Sequence, residues 1–174
     1  MGVHSDRHAV RPPGRGRVGF RGVTTIPNTS GAALPCDVPR VIVDACLQRP
    51  EDLPRLKDLI LHRLQAPEEI VYDCLLAITE AVANALIHGR RNGVAYCRLT
   101  VCRTPDQVRI LVEDRGNGFN WGSLPRTMPP PDAPHGRGVH LIRALTDSVA
   151  IRSTPEGTRV AMIKRLLPPD DQRS

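Results

Sequence analysis

The stretch between Pro67 and Gly89 constrains the fold most, because its twenty-one residues, EEIVYDCLLAITEAVANALIH, contain neither proline nor glycine. Apolar residues recur through it at helical spacing, which predicts one long helix. Pro67 stands near its start, where a missing N–H does no harm, and Gly89 follows as a C-cap. On a wheel of 100° per residue, Val71, Leu75, Ile78, Val82 and Ala85 form one apolar stripe, the expected packing face. Asp73, Ala77, Glu80, Asn84 and His88 fall on the opposite side, flanked by Leu76, Ala83 and Ile87. A carboxylate and an amide among aliphatic side chains suit a pocket floor. The helix alone leaves an ordinary solvated polar face equally open.

The rest of the chain indicates what covers this helix. The folded region starts near Val38 with VPRVIVDACL, β-branched and strand-like. EDLPRLKDLILHRLQ follows as a helix, with Leu53, Leu56, Ile60 and Leu64 in register. After the long helix come two strands, VAYCRLTVCR and QVRILVED, joined by the turn Thr104-Pro105-Asp106. Residues 115–135 carry prolines at 125, 129, 130, 131 and 134 and no period, which predicts a long loop of the kind that forms lids. GRGVHLIRALTD enters a short helix, and SVAIRS and TRVAMIKRLL close as a hairpin around Pro155-Glu156-Gly157. The βαβ alternation of a doubly wound sheet is missing. The order points to an α+β fold, a two-layer α/β sandwich whose mixed, mostly antiparallel sheet has helices on one face. The expected organisation is a basic extension over residues 1–37, one domain over 38–167 and a tail over 168–174.

Charge and cysteines narrow the class. The net charge is +6, and residues 1–36 hold five arginines against Asp6, giving +4 and leaving +2 for the remainder. The extension is rich in glycine and proline without periodicity, as disordered segments are. With one phenylalanine among its arginines, direct nucleic-acid binding is not expected of it, and a solvated tail is the simpler reading. Aromatic residues make up only 3% of the chain, so the core must be aliphatic. No run of eighteen apolar residues suggests a membrane span, and no apolar signal region opens the chain, so a cytoplasmic protein is expected. The five cysteines form no CxxC, and Cys97 and Cys102 fall on opposite faces of one strand. Buried reduced thiols follow.

Two glycine patches carry further chemistry. Asp114-Arg115-Gly116-Asn117-Gly118 ends a strand, where alternating glycines permit a tight turn and close approach of a ligand. Asp114 there can accept a hydrogen bond from a ligand amino group, although a simple turn explains the same residues. His135-Gly136-Arg137-Gly138-Val139 leads into a helix, whose free N–H groups favour phosphate. Leu141 stands where a Rossmann fingerprint needs its third glycine, and the chain has no Walker A, HRD or DFG sequence.

Taken in order, these patches resemble the GHKL, or Bergerat-fold, superfamily of histidine-kinase-like ATPases over roughly residues 38–167. Glu80-(x3)-Asn84 resembles its N box, Asp114-x-Gly116-x-Gly118 its first glycine box and Gly136-x-Gly138 its second. TEAVANALIHG and GRGVHLIRALTDSV look like the bacterial anti-sigma-factor serine kinases within it. The resemblance implies an ATP site between the helix and the lid. Asn84 would offer its amide oxygen to Mg2+, and Glu80 would be the general base. Asp114 would take the adenine amino group, with Thr158 nearby. Gly116 and Gly118 would admit the nucleotide, and Gly136, Gly138 and Arg137 would meet its phosphates. It implies a homodimer that binds a sigma factor and phosphorylates a serine of a STAS-domain anti-anti-sigma protein.

The alternative is a nucleotide-dependent switch of the same fold without kinase activity, which Glu80 and Asn84 suit equally. A sensor histidine kinase would need a dimerising helical hairpin upstream, and a gyrase-like clamp a further domain after Ser174. The basic extension and the proline-rich MPPPDAP stand outside the pattern of the serine kinases.

Overall fold

A computed structural model of the chain describes residues 39–118, 127, 129–130 and 137–166. The extension, most of the expected lid and the C-terminal tail lie outside these residues. The described elements are β1 (Arg40–Leu47), a 3-10 turn (Pro50–Asp52), α1 (Leu53–Arg63), α2 (Glu68–His88), β2 (Cys97–Arg103), β3 (Gln107–Asp114), α3 (Arg137–Leu145), β4 (Ser148–Thr154) and β5 (Gly157–Arg165). The strands form one sheet in the order β1-β2-β3-β5-β4, and every described pairing is antiparallel. The chain thus passes from β3 through α3 to the edge strand β4 and returns by a hairpin into the place beside β3. The result is a two-layer α+β sandwich.

Alternation along the strands decides which side chains face the helices. Val101, Ile110 and Met162 are aligned across β2, β3 and β5, and all three are buried. Leu56, Ile60 and Leu64 of the α1 region and the predicted stripe of α2, from Val71 to Ala85, close over them. Ala77, which the wheel put on the polar side of α2, is fully buried. The polar strip is therefore narrower than the spacing implied. Leu76 and Ile87 are exposed at 43% and 58%, so they border the strip from the solvent side rather than walling a pocket.

By length and composition α2 passes the test for a bilayer span, with mean hydropathy 1.7 over its most apolar window. Half of that window lies inside the fold, as expected of the central helix of a packed domain. Cys74 and Cys97 are fully buried, and burial pushes both thiols up to about 12. Cys97 points into the core while Cys102, five residues on, is half-buried on the opposite face. The four described cysteines are all free.

Candidate functional site

Two clusters form where α2, the end of β3, the start of β5 and the start of α3 meet. Val108, Ile110 and Val112 face the helices, so period two delivers Asp114 to the same side. Thr158 arrives in the same way two positions before the half-buried Val160 and four before the buried Met162. Asp114 Oδ1 accepts two backbone N–H bonds, from Gly116 at 2.9 Å and from Thr158 at 3.1 Å. That fixes the carboxylate and saturates one oxygen. No bond to Oδ2 occurs among the described residues, which leaves an acceptor for a ligand donor.

The space around Asp114 explains the glycines. A Cβ on Gly89 would lie 2.6 Å from Asp114 Cβ and 2.7 Å from its Cγ, and one on Gly116 would lie 2.6 Å from Gly89 Cα. The two glycines thus let the end of α2 touch the turn after β3. Gly89 has φ −83°, so it is needed for this approach and not for the left-handed turn that a glycine C-cap usually supplies. Gly118 does adopt a left-handed φ of +67°, and a Cβ there would run into the Thr154 carbonyl and Ser153 Oγ. Ser153 Oγ lies 3.2 Å from Thr158 Oγ1, which brings a second hydroxyl to the cluster. Gly89 and Ser153 went unrecognised from sequence. The signal for Gly89 was present but read as a cap, and nothing local marks Ser153.

The second cluster lies farther back along α2. A Cβ on Gly138 would lie 2.9 Å from Glu80 Oε2 and 3.1 Å from Asn84 Nδ2. The first turn of α3 therefore rests on the polar strip of α2 at its carboxylate and amide. Asn84 stands about 7.5 Å and Glu80 about 13.5 Å from Gly89 along the helix, from the 1.5 Å rise per residue. Of the remaining strip, Asp73 is drawn away into a 2.7 Å salt bridge with Lys164 on β5. His88 is exposed and ends the helix. Arg137 opens α3 and is exposed, while Gly136 lies outside the described residues.

The clusters fit a nucleotide with its metal by the chemistry of their donors. One end offers a fixed carboxylate acceptor beside small residues, and the other the N–H groups of a helix start beside a carboxylate and an amide. No group of three or more His, Cys, Asp or Glu suited to a metal occurs among the described residues. The Asn84 amide and the Glu80 carboxylate are the hard oxygen donors at this end, and Mg2+ takes only one or two protein oxygens beside phosphate and water.

The chain is similar to known proteins in sequence and in fold. Residues 50–164 match the histidine kinase-like ATPase domain family. The chain is 26% identical over 115 residues to the serine-protein kinase RsbW of Staphylococcus aureus, covering 60% of this chain and 72% of that one. It is 32% identical over 105 residues to an anti-sigma F factor of Clostridium botulinum, covering 55% and 71%. The crystal structure of the RsbU and RsbW domains of a Mycobacterium tuberculosis protein shares the fold, with TM-score 0.53 and 20% identity. That match covers 72% of this chain and 32% of the longer one. The chain belongs to the histidine kinase-like ATPase (GHKL) superfamily, among whose members its relatives include bacterial anti-sigma-factor serine kinases.

Proposed function

We propose that the protein is an ATP-dependent serine kinase that acts as an anti-sigma regulator, binding a sigma factor and phosphorylating a STAS-type antagonist. The observation that carries this reading is the seating of Gly138 on Glu80 and Asn84, with Asp114 held against the C-terminal end of the same helix. A nucleotide whose base meets Asp114 and whose phosphates lie along the helix would bring its terminal phosphate towards Glu80.

Asp114 Oδ2 accepts the adenine amino group, while its other oxygen stays engaged by the N–H groups of Gly116 and Thr158. Gly116 and Gly118 admit the base indirectly, by letting the turn after β3 lie against Gly89 and Thr154. Gly136, Gly138 and the first N–H groups of α3 take phosphate oxygens, with Arg137 as a further cation at that end. Asn84 would hold Mg2+ through its amide oxygen, and the ion would supply neutralisation of phosphate charge. Glu80 accepts the proton of the attacking serine hydroxyl. The new bond joins the serine oxygen to the γ-phosphorus, the bond to the β,γ-bridging oxygen breaks, and ADP leaves. Alignment and charge neutralisation supply most of the rate in such a transfer. A homodimer is part of the same proposal, from the resemblance to the serine kinases.

The test is incubation with Mg-ATP and purified STAS-domain proteins, with phosphoserine read by mass spectrometry. The native chain is expected to label one of them. Glu80→Gln should slow labelling by about 10²–10⁴-fold and leave ATP affinity within about threefold. Labelling at the native rate by this variant defeats the base assignment. ATP binding and sigma capture without any labelling would identify the non-kinase switch instead.

A further inference from the structure

The face of the sheet turned away from the helices carries a second feature that the nucleotide reading leaves unused. Strand register aligns Arg98, Glu113, Arg159 and Arg152 in one row across β2, β3, β5 and β4. With Arg115, Glu156, Tyr96 and Asp114 they line a cavity of about 520 Å3, which therefore adjoins the nucleotide site at that aspartate. Two of the guanidinium groups are committed. Arg98 forms a two-pronged pair with Asp44 at 2.8 and 3.0 Å, and Arg159 pairs with Glu113 at 2.7 Å. Arg115 lies over the Tyr96 ring at 4.1 Å, a contact that leaves its N–H groups to other acceptors. Arg152 has no ion pair among the described residues, yet it stands directly opposite Arg159. Like charges facing each other across an antiparallel pair oppose folding, and a local conflict of this kind is expected where a site is built.

We propose that this depression is a docking site for an acidic peptide segment of a protein partner, with Arg152 and Arg115 receiving its carboxylates. A guanidinium presents parallel N–H groups that match a carboxylate, and a bound carboxylate would relieve the repulsion between Arg152 and Arg159. Peptide is favoured over nucleic acid by what interrupts the arginines. Glu113, Asp114 and Glu156 lie among them and would repel a continuous phosphate backbone, whereas separate carboxylates can avoid them. Arg115 also covers a face of Tyr96, the aromatic ring in the cavity lining on which a base might stack. The arginine row lies on the face of the sheet away from Glu80, Asn84 and Gly138, and of the residues assigned to the nucleotide only Asp114 lines the cavity, so peptide binding requires no bound nucleotide.

The experiment is fluorescence anisotropy on the full chain without nucleotide, using a labelled eight-residue Asp/Glu-rich peptide, its Asn/Gln counterpart and a single-stranded oligonucleotide of equal charge. The acidic peptide is expected to bind and the neutral one not, with affinity falling several-fold between about 50 and 300 mM salt. Arg152→Glu should weaken binding by at least about tenfold, and Arg115→Gln by a smaller factor. Both variants should keep native Tm within a few degrees, and Arg152→Glu should bind ATP as the native chain does. Equal binding by Arg152→Glu overturns the proposal, because the peptide would then be held by the arginine-rich extension, which that variant keeps. Failure of the acidic peptide to bind at low salt also overturns it, as does equal, Arg152-dependent binding of the oligonucleotide, which would make this a nucleic-acid surface. ATP binding is measured separately, so loss of one activity does not imply loss of the other.

Discussion

Gly89→Ala separates space from backbone conformation at the junction of the two motifs. The native φ of −83° and ψ of 20° suit alanine, so chain entropy alone would make this change stabilising by about 0.4–1 kcal/mol. The new methyl group would instead run into the Ala85 carbonyl oxygen and lie 2.6 and 2.7 Å from Asp114 Cβ and Cγ, about 1 Å inside the usual carbon contact. Overpacking of this kind costs about 1–3 kcal/mol, so the net effect is a loss of about 1–2 kcal/mol and a Tm lower by roughly 5 °C. Gly93→Ala is the matched control. Gly93 has φ +78° in the turn between Arg91 and Val94, and nothing lies within 4 Å of the position its Cβ would take. It should lose about 1 kcal/mol through backbone conformation alone. Thermal unfolding and calorimetric ATP titration should then show similar falls in Tm but unequal binding. Gly89→Ala is expected to lose at least about tenfold in ATP affinity by displacing Asp114, about 1.4 kcal/mol, and Gly93→Ala less than about twofold. A Gly89→Ala chain as stable as the native one would refute the close approach. Equal losses of affinity in both variants would refute the positioning of Asp114.

Asp114→Asn should keep the two N–H bonds through the amide oxygen and turn an NH2 towards the base, where a donor now meets a donor. ATP affinity should fall by about tenfold or more while ITP, with a carbonyl in place of the amino group, gains relative to it; an unchanged ATP to ITP ratio in a competition assay speaks against adenine contact. The buried thiols predict a pH effect. Because Cys74 and Cys97 are held near 12 in the fold against an ordinary value of 9.0, the unfolded chain ionises first. Stability present below pH 9 is then lost progressively as pH rises towards 12, and at pH 8 an alkylating reagent should modify these two cysteines only after denaturation, as read by peptide mass spectrometry.

Local periodicity explains which parts of this arrangement were legible in the sequence. The buried stripe of α2 follows from spacing within one helix, and the faces of β2 and β3 follow from alternation within a strand. What could not be read depends on partners remote in the chain. Asp73 has the same helical address as Glu80 and Asn84 to within about 40°, and only the arrival of Lys164, ninety-one residues later, assigns it to an ion pair. Ala77 sits between Asn84 and His88 on the wheel and is nonetheless buried, because the packed layers wrap farther round α2 than one apolar stripe indicates. Gly89 is the helix terminator its position predicts, but its contact with the Asp114 side chain lies outside any local pattern. The row of Arg98, Glu113, Arg159 and Arg152 exists only through the register of four strands, so no window of sequence contains it.

The two helices of the site are anchored unequally, and this bears on which of them can respond to a nucleotide. α2 buries nine side chains, including Ile78, Val82 and Leu86, and its end is locked against Asp114 and Gly116 through Gly89. α3 buries one, Ile142, and meets the polar strip of α2 through Gly138, a residue with no side chain to interlock. Elements with few buried apolar contacts open at lower free energy than the global transition. The spacing from Asp114 to Asn84 and Glu80 is therefore a rigid length set by the core, while the phosphate end is completed by an element that can move. Amide hydrogen exchange of the free chain should be faster in α3 than in the middle of α2 by orders of magnitude. Adding ATP and Mg2+ should slow exchange in α3 and leave the centre of α2 nearly unchanged. Equal protection of both helices without nucleotide would mean that α3 is already fixed. The phosphate end would then be preformed, and closure would have to come from some other segment.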